Sequence, residues 1–357
     1  MRLTTGQSGK RILKDLCNSD YSTHLRHTRR GALVVLFVAF FGAGTAGALL
    51  AGGKSDPANG VESKTIVFIP KSTDVTYWLF LRKGAADKAK ELGYTVQYQG
   101  VSRESDVAGE ANLVYNLISS HPAGILCAAT DAQALVAPVE DGIKAGVPII
   151  MVDSGVNSDA PYASITTDNY NGSYQLGKKL AELIGGKGKV INLGITAGSQ
   201  TGRERDDGFL AAMKESSGIT VLPTQWTSAE AATALNDTTD LLNSNPDVNG
   251  IYSAAAPMAV GAAQALKARG LEKKVKVVTF DPSPEVIPFF EDGTIQAIAA
   301  QNSYQMGYQG VTMLDTIIKG GKIPADEKKI QIPVVIITPD NYKSPDVQKF
   351  IKMPSSF

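Results

Sequence analysis

Short apolar runs alternate with amphipathic stretches over most of the chain, from Lys64 onward. The apolar runs predict strands at Thr65–Ile69, Thr95–Gln99, Gly124–Ala129, Pro148–Val152, Lys189–Leu193, Ile219–Leu222, Gly250–Ser253, Lys276–Phe280, Ile295–Ala300 and Ile332–Ile337. The stretches between them predict helices at Tyr77–Leu92, Val107–Ser119, Ala134–Ala145, Tyr170–Ile184, Arg203–Lys214, Ala229–Asn243, Met258–Arg269 and Tyr304–Lys319. This alternation is typical of parallel sheets with both faces covered, so the fold class is α/β.

The length of the chain limits how these strands can be arranged. A chain of 357 residues exceeds the size at which a single hydrophobic core stops growing. Two arrangements satisfy the pattern: two doubly wound, Rossmann-like lobes, or one βα barrel. The periodicity of the sequence does not choose between them.

The first 53 residues differ in character from the rest. Residues 1–30 hold seven Lys or Arg against two Asp or Glu, and the 23 residues of 31–53 carry no charge. An apolar run of about 20 residues is long enough to cross a bilayer, and the Gly/Ala-rich second half resembles a signal-peptide cleavage region. We therefore expect a basic leader, a signal peptide or membrane anchor at 31–53, a linker at 54–63 and a periplasmic or otherwise extracytoplasmic body. Gly53 stands where a lipidated cysteine would be needed, so lipidation is not supported.

Charge and histidine content exclude several classes of function. The whole chain is neutral and its leader is basic by five charges, so the body is acidic by five, which gives no reason to expect nucleic acid. Of three histidines only His121 lies in the body, which argues against a histidine metal cluster and against histidine-based catalysis. We expect no metal, no cofactor and no enzymatic activity. Cys17 and Cys127 predict no disulfide framework.

Acidic residues follow predicted strands at three places. Asp153 and Asp281 come directly after Pro148–Val152 and Lys276–Phe280, and Asp131 follows Gly124–Ala129 after one residue. In open parallel sheets, ligands bind beyond the carboxyl ends of the strands. A single such acid is usually a turn or N-cap residue. Because Asp153 and Asp281 lie in different halves of the chain, we expect them to share a crevice.

Aromatic residues and an arginine also occur near strand ends. Tyr77 and Trp78 follow the first strand and its loop, and Trp226 follows Ile219–Leu222. Flat rings of this kind stack on the C–H face of a sugar, although core packing accounts for them equally well. Arg203 lies at the predicted start of a helix, where it either forms an exposed ion pair or, if buried beside Asp153, donates to a polyhydroxyl ligand.

At these residues the chain resembles the ribose-type periplasmic binding proteins, the type I solute-binding components of sugar ABC transporters. The resemblance covers Lys64 to about Ile337 and rests on an ordered set of motifs. These are Tyr77-Trp78, Lys83-Gly84-Ala85, Glu91-Leu92-Gly93-Tyr94, Gly146-Val147-Pro148-Ile149, Asp153, Thr167-Asp168-Asn169, Gly202-Arg203-Glu204-Arg205, Gly208-Phe209, Asn245-Pro246-Asp247-Val248, Met258-Ala259, Gly261-Ala262, Phe280-Asp281 and Ala300-Gln301.

The resemblance implies a clamshell of two lobes joined by three crossing strands, with the sugar between them. The lobes would comprise residues 64–167 plus 302–331 and 168–301 plus 332–357. By position in the family, the ligand-binding residues would be Tyr77, Trp78, Asp153, Arg203, Trp226, Asp281 and Gln301, together with Ala255 at a position where the ribose binders carry asparagine.

Some residues depart from the ribose binders. Val75 and Ala255 each stand where those proteins carry asparagine, and Ser154 stands where they carry arginine. Each lost polar contact would be worth about 1–3 kcal/mol if buried and paired. The segment Tyr98–Ser102 resembles the branch that binds rhamnose and autoinducer-2, whereas Arg203 fits the ribose branch. The expected ligand is a pentose, a deoxyhexose, a polyol or a molecule of the autoinducer-2 class.

The expected function is to capture this ligand by hinge closure and deliver it to the permease of an ABC transporter. An anchored sensor with the same lobes is the alternative, which retention of residues 31–53 would favour. A βα-barrel aldolase or isomerase lacks support, since Gly185–Lys189 precedes a strand and is no phosphate loop. A sugar-responsive repressor would need a helix-turn-helix where the apolar run stands.

Overall fold

The computed structural model describes residues 63–352, which belong to one compact unit. The leader and the apolar segment predicted at residues 1–53 lie outside the described residues. The strands are β1 (Thr65–Ile69), β2 (Thr95–Tyr98), β3 (Gly124–Cys127), β4 (Ile149–Asp153), β5 (Ala163–Thr167), β6 (Lys187–Gly194), β7 (Gly218–Val221), β8 (Gln225–Trp226), β9 (Val248–Ser253), β10 (Lys276–Phe280), β11 (Ala297–Ala300), β12 (Lys329–Ile332) and β13 (Val335–Ile337).

Helices follow most of these strands, as the alternating pattern predicts. They are α1 (Tyr77–Leu92), α2 (Val107–Ser119), α3 (Val136–Lys144), α4 (Asn169–Leu183), α5 (Gln200–Lys214), α6 (Ala231–Ser244), α7 (Ala256–Ala268), α8 (Ile287–Glu291), α9 (Ser303–Ile318) and α10 (Pro345–Ile351). A 3₁₀ turn at Ala325–Glu327 precedes β12. The predicted helices agree with the structure to within a few residues at each end.

Two open sheets organise the described residues. The first has the strand order β12-β5-β4-β3-β1-β2, and the second has the order β13-β11-β10-β9-β6-β7 with β8 paired to β6. All pairs are parallel except β11 with β13. Both sheets have free edges, which excludes the βα barrel and confirms two doubly wound lobes. We call them the first and the second lobe, after their sheets.

The chain passes between the lobes at three places. It leaves the first sheet after β5, returns after β11, and leaves again between β12 and β13. Two of these crossings run directly into a helix that a side chain caps. Asp168 accepts a hydrogen bond from Asn171 N at the start of α4, and Asn302 accepts one from Gln305 N at the start of α9.

Helices α1 and α9 approach each other closely over the first sheet. A Cβ atom on Gly84 would lie 1.9 Å from Tyr304 O, and one on Gly307 would lie 2.0 Å from Leu81 O. Glycine is therefore required at both positions, because any side chain would collide with backbone. This contact fixes the position of α1, whose first residue is Tyr77.

The structure differs from the sequence-based strands at the C-terminal crossing. The single strand predicted at Ile332–Ile337 is two short strands, β12 and β13, which belong to different sheets. Strand β5 was not predicted, because Ala163–Thr167 contains Ser and Thr where a continuous apolar run was expected. Strand β8 and helices α8 and α10 were also missed, since each has at most seven residues and shows no clear period.

Candidate functional site

A buried cavity lies where the carboxyl ends of strands from both sheets meet. The first lobe contributes residues that follow β1 and β2 and the last residue of β4, and the second contributes residues that follow β6, β8, β9, β10 and β11. The cavity has a volume of about 30 Å³. Its lining is Lys71, Val75, Tyr77, Trp78, Glu104, Asp153, Ile195, Thr201, Arg205, Ala229, Ala255, Pro257, Asp281 and Gln301.

Both strand-end acids reach this cavity through an unusual backbone conformation. Asp153 has φ 65° and Asp281 has φ 67°, in the left-handed region that non-glycine residues seldom adopt. At Asp153 the backbone closes a tight turn in which Ser154 N donates to Val152 O at 2.7 Å. Asp tolerates this conformation better than bulky residues do. Asp131, by contrast, accepts hydrogen bonds from Gln133 N and Ala134 N and serves as a cap.

A set of hydrogen bonds connects the two acids. Tyr77 Oη donates to Asp153 Oδ1 at 2.7 Å and lies 3.5 Å from Gln301 Oε1. Gln301 Nε2 donates to Asp281 Oδ1 at 2.9 Å, and Thr167 Oγ1 donates to Gln301 Oε1 at 2.5 Å. Strands and helices of both lobes thus hold Asp153, Tyr77, Gln301 and Asp281 together.

Lys71 is a cavity residue that the sequence reasoning missed. It follows β1 and is almost fully buried, with Nζ 3.5 Å from Asp153 Oδ2. The same nitrogen donates to Ser199 Oγ in the second lobe at 3.1 Å. The signal in the sequence is a basic residue placed two positions after the last residue of an apolar strand.

The arginine that lines the cavity is Arg205, whereas the predicted residue, Arg203, does not line it. Arg203 is exposed and donates through Nη1 to Ala197 O and Gly198 O. Two residues correspond to a rotation of about 200° on a helix, so Arg203 and Arg205 lie on opposite sides of α5. Arg205 is buried, with Nε donating to Asn169 Oδ1 at 2.9 Å and Nη1 donating to Ala254 O at 2.7 Å.

Burial raises the pKa of two hydrogen-bonded cavity groups, Asp281 and Tyr77. It raises the pKa of Asp281 to about 6, an effect that Arg205 and the hydrogen bond from Gln301 partly offset. Burial, followed by the charge of Asp153, raises the pKa of Tyr77 well above its ordinary value, so its hydroxyl stays protonated and can donate. The cavity therefore offers both donors and acceptors, as a polyhydroxyl ligand requires.

The described part of the chain contains no cluster of side chains suited to bind a metal ion. Among residues 63–352, no group of three or more His, Cys, Asp or Glu side chains is arranged to hold a metal ion. Two of the cavity carboxylates, Asp153 and Asp281, instead pair with Lys71, Tyr77 and Gln301.

Comparison with known proteins agrees with this architecture. Residues 66–322 match the family model of the periplasmic binding protein domain. The chain belongs to the periplasmic binding protein family. Within it, this is a sugar-binding solute-binding protein of ABC transporters, of the ribose-binding-protein-like kind, which confirms the resemblance noted from the motifs.

Individual members of the periplasmic binding protein family match most of the chain. The ribose import binding protein of Haemophilus influenzae is 31% identical over 274 residues, which cover 77% of this chain and 91% of that protein. The D-allose-binding periplasmic protein of Escherichia coli is 30% identical over 266 residues, or 72% of this chain and 86% of that one.

Solved structures of solute-binding proteins match over a similar extent. An ABC transporter solute-binding protein from Agrobacterium vitis with bound D-fucose superposes with a TM-score of 0.77 and 31% identity, covering 81% of this chain and 100% of that one. These homologues are non-enzymatic sugar-binding transport proteins, in agreement with the expectation that the chain is not an enzyme.

The remaining predicted contacts of this periplasmic binding protein divide into two groups. Trp78 and Ala255 line the cavity. The Trp78 ring is 2% exposed and packs edge-on to Tyr77, with 4.9 Å between ring centroids. Trp226 does not line the cavity: it is 38% exposed, and β8 holds it beside Gly194 at the end of β6. The second lobe covers the cavity with Ile195 and Ala229 instead.

Family membership implies an extracytoplasmic location for the protein. Within residues 63–352, no helix combines the length and apolar character needed to cross a membrane. The segment predicted as a signal peptide or anchor, residues 31–53, lies outside the described residues.

Proposed function

We propose that the protein binds one small, neutral sugar in the cavity between its lobes and delivers it to an ABC transporter permease. The observation that carries this proposal is the convergence of Asp153 and Asp281 with Arg205, Lys71 and Gln301 in one buried space. Carboxylates accept from sugar hydroxyls, and the basic groups and the amide donate to them.

The residues that depart from the ribose binders bear on which sugar is bound. Val75 and Ala255 line the cavity and bring no polar side-chain atom to it. Ser154 is buried and does not line it. A ligand with fewer hydroxyl groups to satisfy fits such a wall, because an unpaired buried hydroxyl is costly. We therefore favour a pentose or a deoxyhexose over a fully hydroxylated hexose.

Lobe opening gives the ligand access. Residues of both lobes line the cavity, so a hinge motion that separates the lobes gives a sugar access to it. Three hydrogen bonds join the lobes at the site. Lys71 Nζ donates to Ser199 Oγ at 3.1 Å, and Thr201 Oγ1 donates to Asp153 O at 3.2 Å. Gly155 N donates to Gln200 Oε1 at 2.9 Å. A sugar that contacts both lobes favours closure, since ligands shift an equilibrium by differential affinity.

Export is the second part of the proposal. The uncharged run at 31–53 directs the chain across the membrane, and the body functions on the far side. The mass of the mature protein tests this directly. Cleavage near residue 53 agrees with a transporter component, whereas a retained segment would favour the anchored sensor.

Binding is tested by calorimetry with D-ribose, D-allose and D-fucose, the sugars of the relatives described above. We expect at least one to bind, and to raise the melting temperature as mass action requires. Asp153→Ala and Asp281→Ala are expected to abolish tight binding while circular dichroism shows an intact fold. Asp131→Ala is the matched control, because this strand-end acid lies outside the cavity. Unchanged affinity in both cavity variants would contradict the site.

A further inference from the structure

Glu104 lies in the loop between β2 and α2 and faces the cavity from the first lobe. Its side chain belongs to a residue that is 8% exposed, and within the described residues its Oε2 has no hydrogen-bond partner. A buried carboxylate oxygen without a partner is costly, so native structures seldom keep one without a reason.

The other two carboxyl groups that line the cavity are partnered. Asp153 accepts from Tyr77 and pairs with Lys71, and Asp281 accepts from Gln301. The described contacts of the Lys71 nitrogen are with Ser199 and Asp153, and none joins it to Glu104 Oε2. Glu104 Oε2 is therefore a cavity acceptor that remains available to a hydrogen-bond donor of a ligand.

The cavity lining also includes a hydrogen-bond donor that lacks a partner among the described residues, the indole N–H of Trp78. Trp78 is 2% exposed and lines the cavity, and its Nε1 has no acceptor in the described part of the chain. Residues on two separate elements, α1 and the β2–α2 loop, thus present a donor and an acceptor to one cavity. A hydroxyl group can accept from one and donate to the other, whereas an apolar group can satisfy neither.

We propose that Glu104 and the indole N–H of Trp78 form a polar subsite that binds ligand hydroxyl groups and sets the specificity of the protein. The proposal rests on the proposed function, since it names a further part of the same site. The predicted binding residues did not include Glu104, and Trp78 was expected to contribute its ring face.

Electrostatics agree with this role. Burial raises the pKa of Glu104, an effect that the charge of Lys71 partly offsets and that Asp153 strengthens. Glu104 also gives the cavity three carboxyl groups against two basic groups, Lys71 and Arg205. The subsite therefore favours a hydroxyl donor and disfavours a ligand that brings its own carboxylate or phosphate.

The test compares Glu104→Gln and Trp78→Phe with wild type by calorimetry, using D-ribose, D-allose, D-fucose and monodeoxy analogues of each. Each variant is expected to lower the affinity for the parent sugar about tenfold. One monodeoxy analogue is expected to bind the variants and wild type with equal affinity, because it lacks the hydroxyl group that the subsite binds. Glu104→Gln is also expected to melt at the same or a higher temperature, which a merely structural residue would not do.

Glu110→Gln is the matched control. Glu110 is a buried acid of α2 that accepts from Thr130 and does not line the cavity, so its variant should keep wild-type affinity. If Glu104→Gln and Trp78→Phe bind every sugar and analogue as wild type does, the subsite is overturned and the proposed function stands. If wild type binds none of the sugars, the proposed function fails and the subsite with it.

Discussion

The hydroxyl group of Tyr77 donates a 2.7 Å hydrogen bond to the carboxylate of Asp153. Tyr77 is the first residue of α1, and Asp153 is the last residue of β4. The bond therefore ties the entrance of one helix to the strand end that carries a candidate ligand contact. It also leaves Asp153 with one oxygen facing Lys71, at 3.5 Å from its Nζ.

Tyr77→Phe should weaken sugar binding about tenfold, because the Asp153 carboxylate loses a donor that fixes its orientation. Calorimetry with the best-bound sugar measures the change. The exposed tyrosine of α4 supplies the control, since Tyr170→Phe removes a hydroxyl remote from the cavity. Equal affinities for the two variants would show that the hydroxyl of Tyr77 does not organise the site.

Arg205→Lys should eliminate detectable sugar binding and destabilise the protein by about 3 kcal/mol, because a lysine cannot replace the guanidinium bonds to Asn169 and Ala254. The guanidinium also lies 3.8 Å from the centroid of the Phe280 ring, a contact that lysine loses in part. Urea unfolding and calorimetry give the two quantities.

Arg203→Lys is the paired control, on the opposite side of the same helix. It should change stability by about 0.5 kcal/mol or less and leave affinity unchanged. A loss of binding in Arg203→Lys, with Arg205→Lys unaffected, would restore the residue chosen from the sequence and reject the one placed in the cavity.

Glu110 should make stability fall as pH rises. Burial raises its pKa from 4.5 to about 7, with the hydrogen bonds from Thr130 offsetting part of the shift. The folded state therefore holds a proton that the unfolded state releases above pH 4.5. Its contribution is complete below that pH and is lost as the pH approaches about 7, a difference of roughly 3 kcal/mol.

Glu110→Gln should flatten this part of the profile, measured by urea unfolding between pH 4.5 and 8. Other groups, Asp281 among them, titrate in both proteins, so the difference between the two curves isolates Glu110. The exposed Glu215, whose pKa the hydrogen bond from Lys178 lowers, supplies the comparison variant Glu215→Gln. Parallel curves for wild type and Glu110→Gln would refute the prediction.

Gly307→Ala should destabilise the protein by about 2–4 kcal/mol, because the added carbon would meet Leu81 O and force α1 and α9 apart. Since α1 positions Tyr77, affinity should fall as well. Thr312→Ala on an exposed turn of α9 tests whether any substitution in this helix has that effect. Comparable melting temperatures for the two variants would mean that the helices accommodate the methyl group.

The sequence anticipated the elements near the site better than the side chains within it. Asp153 and Asp281 were identified because an acid directly beyond an apolar strand is visible in a linear pattern. Arg205 was not distinguished from Arg203, because the sequence does not state which side of α5 faces the other lobe. Trp226 does not line the cavity for a related reason: its position depends on the pairing of a two-residue strand with β6.

The alternation of strands and helices in the sequence by itself determined an α/β protein with parallel sheets. The spacing of apolar residues and the glycines that end helices act through neighbouring residues, so they are visible in the sequence. Only the tertiary structure decided that the strands form two open sheets and that β12 and β13 belong to different ones. It also brought Lys71 and Glu104 into the cavity. These features depend on contacts between residues far apart in the chain, and long-range packing determines such contacts where local propensity does not.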